Sequence, residues 1–195
     1  MKVIGLTGGI GMGKSTIAAA FRRAHIPVFD ADAEVHALQA PGGRAVGPIG
    51  RAFPGTVRNG AVDRAALRAC AVPDPAAMRR LEGILHPMVR TAERAFLARA
   101  RRAGRRLAVL DIPLLLETGG ARRVDHVVVV SAPRAVQRAR VLARGRMTPA
   151  QIDAIIARQM PDSEKRRHAD DVIQTGLSRR HALRQLRRAT DRLFA

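Results

Sequence analysis

With 195 residues the chain can bury a sizeable core as one folding unit. Its 35 basic against 16 acidic residues give a net charge of +19, a surface that attracts anions. The single cysteine, Cys70, excludes an intramolecular disulfide and a cysteine-based metal cluster, and no apolar run nears the roughly 18 residues of a membrane span.

Arginine supplies nearly all of the positive charge, since the lysines are Lys2, Lys14 and Lys165. Its spread along the whole chain points to a coding bias, with attraction of anions as a side effect. There is no Trp or Tyr and the five Phe are scattered, so no stacking platform for single-stranded nucleic acid is present. The densest cluster, RARRAGRR at 99 to 106, reads as the solvated end of a helix, where cations complement the dipole.

Residues 2 to 7, KVIGLT, form a short apolar run with β-branched members and predict the first, central strand, too short and too early for a signal peptide. The expected location is therefore cytoplasmic. GGIGMGKS at 8 to 15 fits the G-x-x-x-x-G-K-[ST] pattern of a phosphate-binding loop between that strand and a helix reaching Ala24. Its glycines let successive N–H groups approach phosphate oxygens, and the helix start adds its positive dipole end. Lys14 is placed to reach the β and γ phosphates, and the Ser15 hydroxyl to take a position on Mg²⁺.

Pro27, Val28 and Phe29 predict a second strand ending in Asp30-Ala31-Asp32, where open α/β sheets place ligand-binding groups. A helix starts there as well, and Asp30 is the better N-cap candidate of the two carboxylates. From residue 33 to about 104 helical patterns follow one another without a convincing strand. The breaks are PGG at 41 to 43, Pro54-Gly55, Asn59-Gly60, Pro73-Asp74-Pro75 and His86-Pro87. Cys70 lies in an apolar helical pattern and reads as a small core residue. Pro87 disfavours the α region for His86, so the pair reads as a helix start, and such a histidine is ordinarily a packing or capping residue.

Residues 107 to 112, LAVLDI, predict a third strand ending in Asp111, placed to hold Mg²⁺ directly or through water, or else to cap the loop. Unbroken valine from 127 to 130 suits a strand covered on both faces. Pro133 opens a helix carrying Gln137, Arg138, Arg140 and Arg144, and Thr148-Pro149-Ala150-Gln151 is a capping box that starts another. Together they make a basic helical hairpin, followed by a short charged helix to His168. Asp171-Val172-Ile173 predicts a fifth strand, and Ser178 caps a final helix with Leu183, Leu186 and Leu193 toward the sheet.

Short strands, a helical insertion and a basic lid around a phosphate loop describe a small kinase better than a motor or a GTPase, and no N-K-x-D guanine-reading segment occurs. The combination of GLTGGIGMGKST (5 to 16), DAD (30 to 32), LHP (85 to 87), DIPLLLE (111 to 117), Gln137 with Arg140 and Arg144, and RQMPDSEKRRHADDVI (158 to 173) resembles the dephospho-CoA kinase family. The resemblance implies an α/β P-loop kinase fold: a five-stranded parallel sheet flanked by helices in one domain. Its core would be 1–32, 105–132 and 169–195, with a helical CoA-binding insertion at 33–104 and a helical lid at 133–168. It implies transfer of the ATP γ-phosphate to the ribose 3′-hydroxyl of dephospho-CoA, the last step of coenzyme A synthesis, with Mg²⁺ as cofactor. The implied partners are ATP and dephospho-CoA, with no specific nucleic acid and no membrane, in a monomer or weak homo-oligomer.

By the same resemblance Asp32 matches the carboxylate that accepts or orients the hydroxyl proton, and Lys14 and Arg140 complete the catalytic set. Gly9, Gly11, Met12, Gly13, Lys14, Ser15, Thr16 and Arg144 match ATP contacts. Thr7, Asp32, His86, Leu114 and Leu115 match the acceptor site, and Ser15 and Asp111 the metal site. Arg138 is expected to face solvent. Two residues depart from the family pattern. Met12 replaces a small residue, with its side chain expected to point away from the phosphates; Thr175 replaces a common asparagine, which bears on contacts near the adenine and on preference for the base. The rival readings are another small-molecule or nucleoside monophosphate kinase, and a nucleic-acid-binding P-loop NTPase.

Overall fold

The computed structural model describes residues 1–145 and 147–194. Lys2–Thr7 form strand β1, buried from Val3 onward, as a strand covered on both faces must be. It is followed by helix α1 (Lys14–Arg23) and strand β2 (Val28–Asp30). Asp30 then caps α2 (Ala31–Gln39), its carboxylate accepting from the Ala33 N–H at 3.0 Å, so the capping role expected for Asp30 holds. The chain continues through α3 (Val46–Ala52), strands β3 (Val57–Arg58) and β4 (Ala61–Val62), α4 (Arg64–Ala71) and α5 (Pro75–Arg102). After α5 come β5 (Leu107–Asp111), a 3₁₀ turn at Gly120–Arg123, β6 (His126–Ser131), α6 (Arg134–Leu142), α7 (Pro149–Arg158), α8 (Asp162–Arg167), β7 (Asp171–Gln174) and α9 (Arg179–Phe194).

The chain divides into two compact units, residues 1–29 with 100–195, and residues 30–99. The first holds a five-stranded parallel sheet in the order β2-β5-β1-β6-β7. Ile4, Leu6, Val109, Val128, Val130 and Ile173 from the sheet pack with Ile17 and Phe21 of α1 and Ala182 and Leu186 of α9. Each such large side chain contributes about 1.5–3 kcal/mol by leaving water, which fixes which face of each helix meets the sheet. Leu183 and Leu193 pack on the same cluster. Since β1 is central and its neighbours are β5 and β6, the loop after β1 emerges where the strand order reverses, the usual ligand crevice of such sheets.

The second unit is mainly helical and has its own core of Leu38, Ile49, Phe53, Val62, Leu67 and Leu85. Three sequence expectations fail within it. Asn59 and Gly60, with φ of 50° and 73°, form the tight turn of the short β3–β4 hairpin, where only breaks between helices were expected. Cys70 is exposed, on the solvent side of α4. His86-Pro87 starts no helix, because α5 runs through it from Pro75 to Arg102. Leu81, Ile84, Leu85, Met88 and Val89 carry one apolar stripe across the proline onto this core, and the exposed position of Pro87 lets water reach the interrupted backbone.

Candidate active site

The loop between β1 and α1 is built on glycines. Gly11 and Gly13 have φ of 74° and 91°, and a Cβ on Gly11 would stand 2.7 Å from the Gln137 carbonyl. Gly13 is the N-cap of α1 and offers no side-chain bond to the first turn, which also lacks an acidic residue. The first N–H groups of a ten-residue helix therefore face outward with the positive dipole end, ready for an anion. Lys14 opens that helix, Ser15 is exposed on it, and Thr16 donates its N–H to the Gly13 carbonyl.

Lys14 Nζ lies 2.5 Å from Asp111 Oδ1, joining α1 to the end of β5. Parallel pairing of β1 with β5 sets Leu6 beside Asp111 and so brings the acid to the phosphate loop. Asp111 is buried and Ser15 exposed, and both offer hard oxygen donors. Among the described residues no group of three or more His, Cys, Asp or Glu is arranged to hold a metal. That donor set suits a cation such as Mg²⁺, which keeps waters and phosphate oxygens as most of its ligands.

The peptide at Ile10 is held from both sides. Gln137 of α6, buried, donates from Nε2 to the Ile10 carbonyl at 2.8 Å, and the Ile10 N–H donates to Gln159 Oε1 at 3.0 Å. Gly9 lies against the same two amides: a Cβ there would come 3.1 Å from Gln159 Oε1 and 3.2 Å from Gln137 Nε2. Gln159 carried no signal of its own in the sequence beyond its place in the RQMPDSEK segment. Neither did the buried pair of Lys165 with Glu117, 2.6 Å apart, which ties α8 to the loop after β5.

Arg140 and Arg144 share a cleft of about 340 Å³ with Gly11, Gly13, Ser15, Thr16, Thr175 and Arg179. Arg140 is fixed by Thr175, whose hydroxyl and carbonyl accept from its guanidinium. Arg138 points away from this cleft, 41% exposed, and pairs with Asp153 of α7. Met12 turns inward as expected: it is buried in the main core, with Sδ accepting the Ala132 N–H at 3.1 Å.

Two residues expected at the acceptor site have sealed side chains. Thr7 is fully buried and its hydroxyl donates to the Pro113 carbonyl at 2.8 Å. Leu115 is likewise sealed, packed with Val127 and Val129; the absence of a Cβ at Gly5 makes its room, since one would stand 2.5 Å from Leu115 Cδ2. Leu114, by contrast, is 44% exposed. Thr175, expected to bear on the adenine, is also buried, with its hydroxyl engaged by Met12 and Arg140.

Within the helical unit Asp32 lies exposed in the first turn of α2. It lines a cleft of about 480 Å³ whose wall includes His36, Arg64 and Arg68 over Leu67, Leu81 and Leu85. This size suits a small-molecule ligand. His86 stands exposed on α5, outside the lining of that cleft.

A phosphate loop leaving a central parallel strand, a lysine on the following helix, an acid on the neighbouring strand and an arginine-bearing helical segment bonded to the loop define a P-loop kinase. Residues 2–179 match the dephospho-CoA kinase family, and the chain belongs to that family. A dephospho-CoA kinase of Paramagnetospirillum magneticum is 63% identical over 166 residues, covering 85% of this chain and 78% of that protein. The Gluconobacter oxydans dephospho-CoA kinase is 52% identical over 197 residues, covering 99% and 98%. A solved structure from Thermus thermophilus superposes with a TM-score of 0.88 at 34% identity, over 100% of this chain and 98% of that one. The structure of the Campylobacter jejuni dephospho-CoA kinase gives 0.72 at 19% identity, over 98% and 96%, a likeness of fold.

Proposed function

We propose that this chain transfers the γ-phosphate of ATP to the ribose 3′-hydroxyl of dephospho-CoA, giving coenzyme A and ADP. The observation that carries the reading is the Lys14–Asp111 pair at the joined ends of β1 and β5, in a chain of this family. When nucleotide binds, Lys14 exchanges the Asp111 carboxylate for β- and γ-phosphate oxygens, and the N–H groups of Gly13, Lys14 and Ser15 at the outward start of α1 take the others. Ser15 and Asp111 would hold Mg²⁺, which when bound would supply neutralisation of the phosphate charge. Arg140 and Arg144 add positive charge where the transferring group carries its negative charge, an effect strongest once water is excluded.

Asp32 accepts or orients the proton of the attacking 3′-hydroxyl, a task suited to a carboxylate once the substrate is aligned beside it. Leu114 and His86 contact the acceptor, and the sealed Thr7 and Leu115 support the site from within the core. The enzyme acts in the cytoplasm as a monomer or weak homo-oligomer without a specific nucleic-acid partner. Among the described residues no helix is long and apolar enough to cross a membrane. The reading is tested with an acceptor panel at fixed MgATP. Dephospho-CoA should give turnover and nucleosides or nucleoside monophosphates none; the reverse order would replace this reading with that of a nucleotide kinase.

A further inference from the structure

Thr175 follows β7 directly, is 7% exposed, and has every polar group engaged. Its N–H donates to the Ser131 carbonyl at 2.8 Å. Its hydroxyl donates to the Met12 carbonyl at 2.6 Å, with the Ser131 carbonyl 3.3 Å away as the alternative acceptor. The same oxygen accepts from Arg140 Nη1 at 3.0 Å, and the Thr175 carbonyl accepts from Nη2 at 2.7 Å. Two bonds from one planar guanidinium fix its direction as well as its distance. The Thr175 side chain also fills the space beside Gly13, whose added Cβ would stand 3.2 Å from Oγ1.

We propose that Thr175 is a positioning residue for phosphoryl transfer: it locks the Arg140 guanidinium to the Met12 peptide of the phosphate loop. Arginine and loop then meet the phosphates as one preorganised unit, and no reorganisation is needed as charge develops. The hydroxyl is the joint. It is donor to the loop and acceptor from the arginine in the same place, so its removal unties the arginine from the loop while leaving the volume filled. With all its polar groups engaged, Thr175 has none left to read a nucleoside base, so its effect falls on the phosphate end of ATP. This inference rests on the part given above to Arg140.

The test is a cycle of Thr175→Val, Arg140→Ala and the double variant, assayed at saturating MgATP and dephospho-CoA. Thr175→Val keeps the shape and removes the hydroxyl, and should lower kcat about 10- to 100-fold, the scale of a lost hydrogen bond to a charged group. Thr175→Ser, which restores the hydroxyl, should recover kcat to within about threefold. The double variant should be little slower than Arg140→Ala alone, because Thr175 acts through the arginine. A merely structural threonine would lower thermal stability yet multiply its effect with that of Arg140→Ala. Full multiplication, or a Thr175→Val kcat within twofold of the parent, overturns the inference. If Thr175→Val does not fold, Thr175→Cys, of similar size and weaker hydrogen bonding, enters the same cycle with the same criteria. A parental kcat for Arg140→Ala would remove the role of the arginine itself, and the inference with it, even while dephospho-CoA remains the acceptor.

Discussion

Replacing Lys165 by methionine tests how the helical segment after α7 is anchored. Lys165 is 1% exposed, with Nζ 2.6 Å from Glu117 Oε1. Oε1 also accepts the Met160 N–H at 3.3 Å, whereas Oε2 is buried with no hydrogen-bond partner among the described residues. Lys165→Met keeps most of the stem's packing and removes the ammonium, leaving a largely buried carboxylate without its counter-charge. Breaking a buried pair in this way costs about 3–5 kcal/mol. For a domain of this size 1 kcal/mol shifts Tm by about 2–4 °C, so Tm should fall by roughly 6–20 °C. Adding Glu117→Gln removes the orphaned charge and keeps an acceptor for Met160, and should recover more than half of the loss. Urea unfolding of the parent, the single variant and the double variant measures both steps. A single variant within about 1 kcal/mol of the parent, or a double variant no more stable than the single, would refute the argument that charge pairing anchors the segment.

Lys14→Ala should abolish turnover and, because it breaks a largely buried ion pair with Asp111, lower the unfolding midpoint as well, with circular dichroism showing that the variant is still folded at the assay temperature; a normal rate of ADP release would remove the phosphate loop from the mechanism. Asp32→Asn should lower kcat by about 10²-fold or more with the KM for ATP little changed, since acid–base help is lost and the nucleotide contacts are kept; an unchanged kcat would make Asp32 a purely structural residue of α2. Asp63 caps α4, and its carboxyl titrates below the ordinary 3.8, chiefly because the Ala66 N–H donates to it. The unfolded chain therefore takes up this proton first as pH falls. The contribution is present above pH 3.8 and is lost as pH drops through the lowered value. Asp63→Asn, which keeps a cap without the charge, should flatten the acid side of the stability profile measured by urea midpoints, and an unaltered slope would contradict this.

What the sequence revealed and what it hid follow from the range of the interactions. Gly11, Gly13, Lys14 and the Thr148 capping box act through nearest neighbours, so spacing alone located them. The valines of β6 announced a doubly covered strand because burial on both faces leaves no polar alternation. Pro87 misled because a local rule, proline as a helix boundary, lost to an apolar stripe that continues from Leu81 to Val89 onto the helical unit's core. Leu115 and Thr7 were assigned to the acceptor site from their places in motifs. Their burial depends on Gly5 and Pro113, partners far away in the chain or invisible to periodicity. Lys165 with Glu117, and Gln137 with Gln159 at Ile10, are contacts between distant segments, and no pattern along the chain encodes their pairing. Thr175 shows the same limit: its departure from the family pattern could be seen, but its bonds to Met12 and Arg140 needed the fold.

The central claim is a specific phosphoryl transfer, and it is tested most directly by ADP release from MgATP with and without dephospho-CoA, with the product identified by mass. The account predicts ADP formation that depends on dephospho-CoA and a product heavier by one phosphoryl group, coenzyme A. Folded protein that binds ATP yet gives no acceptor-dependent ADP and no coenzyme A would contradict it.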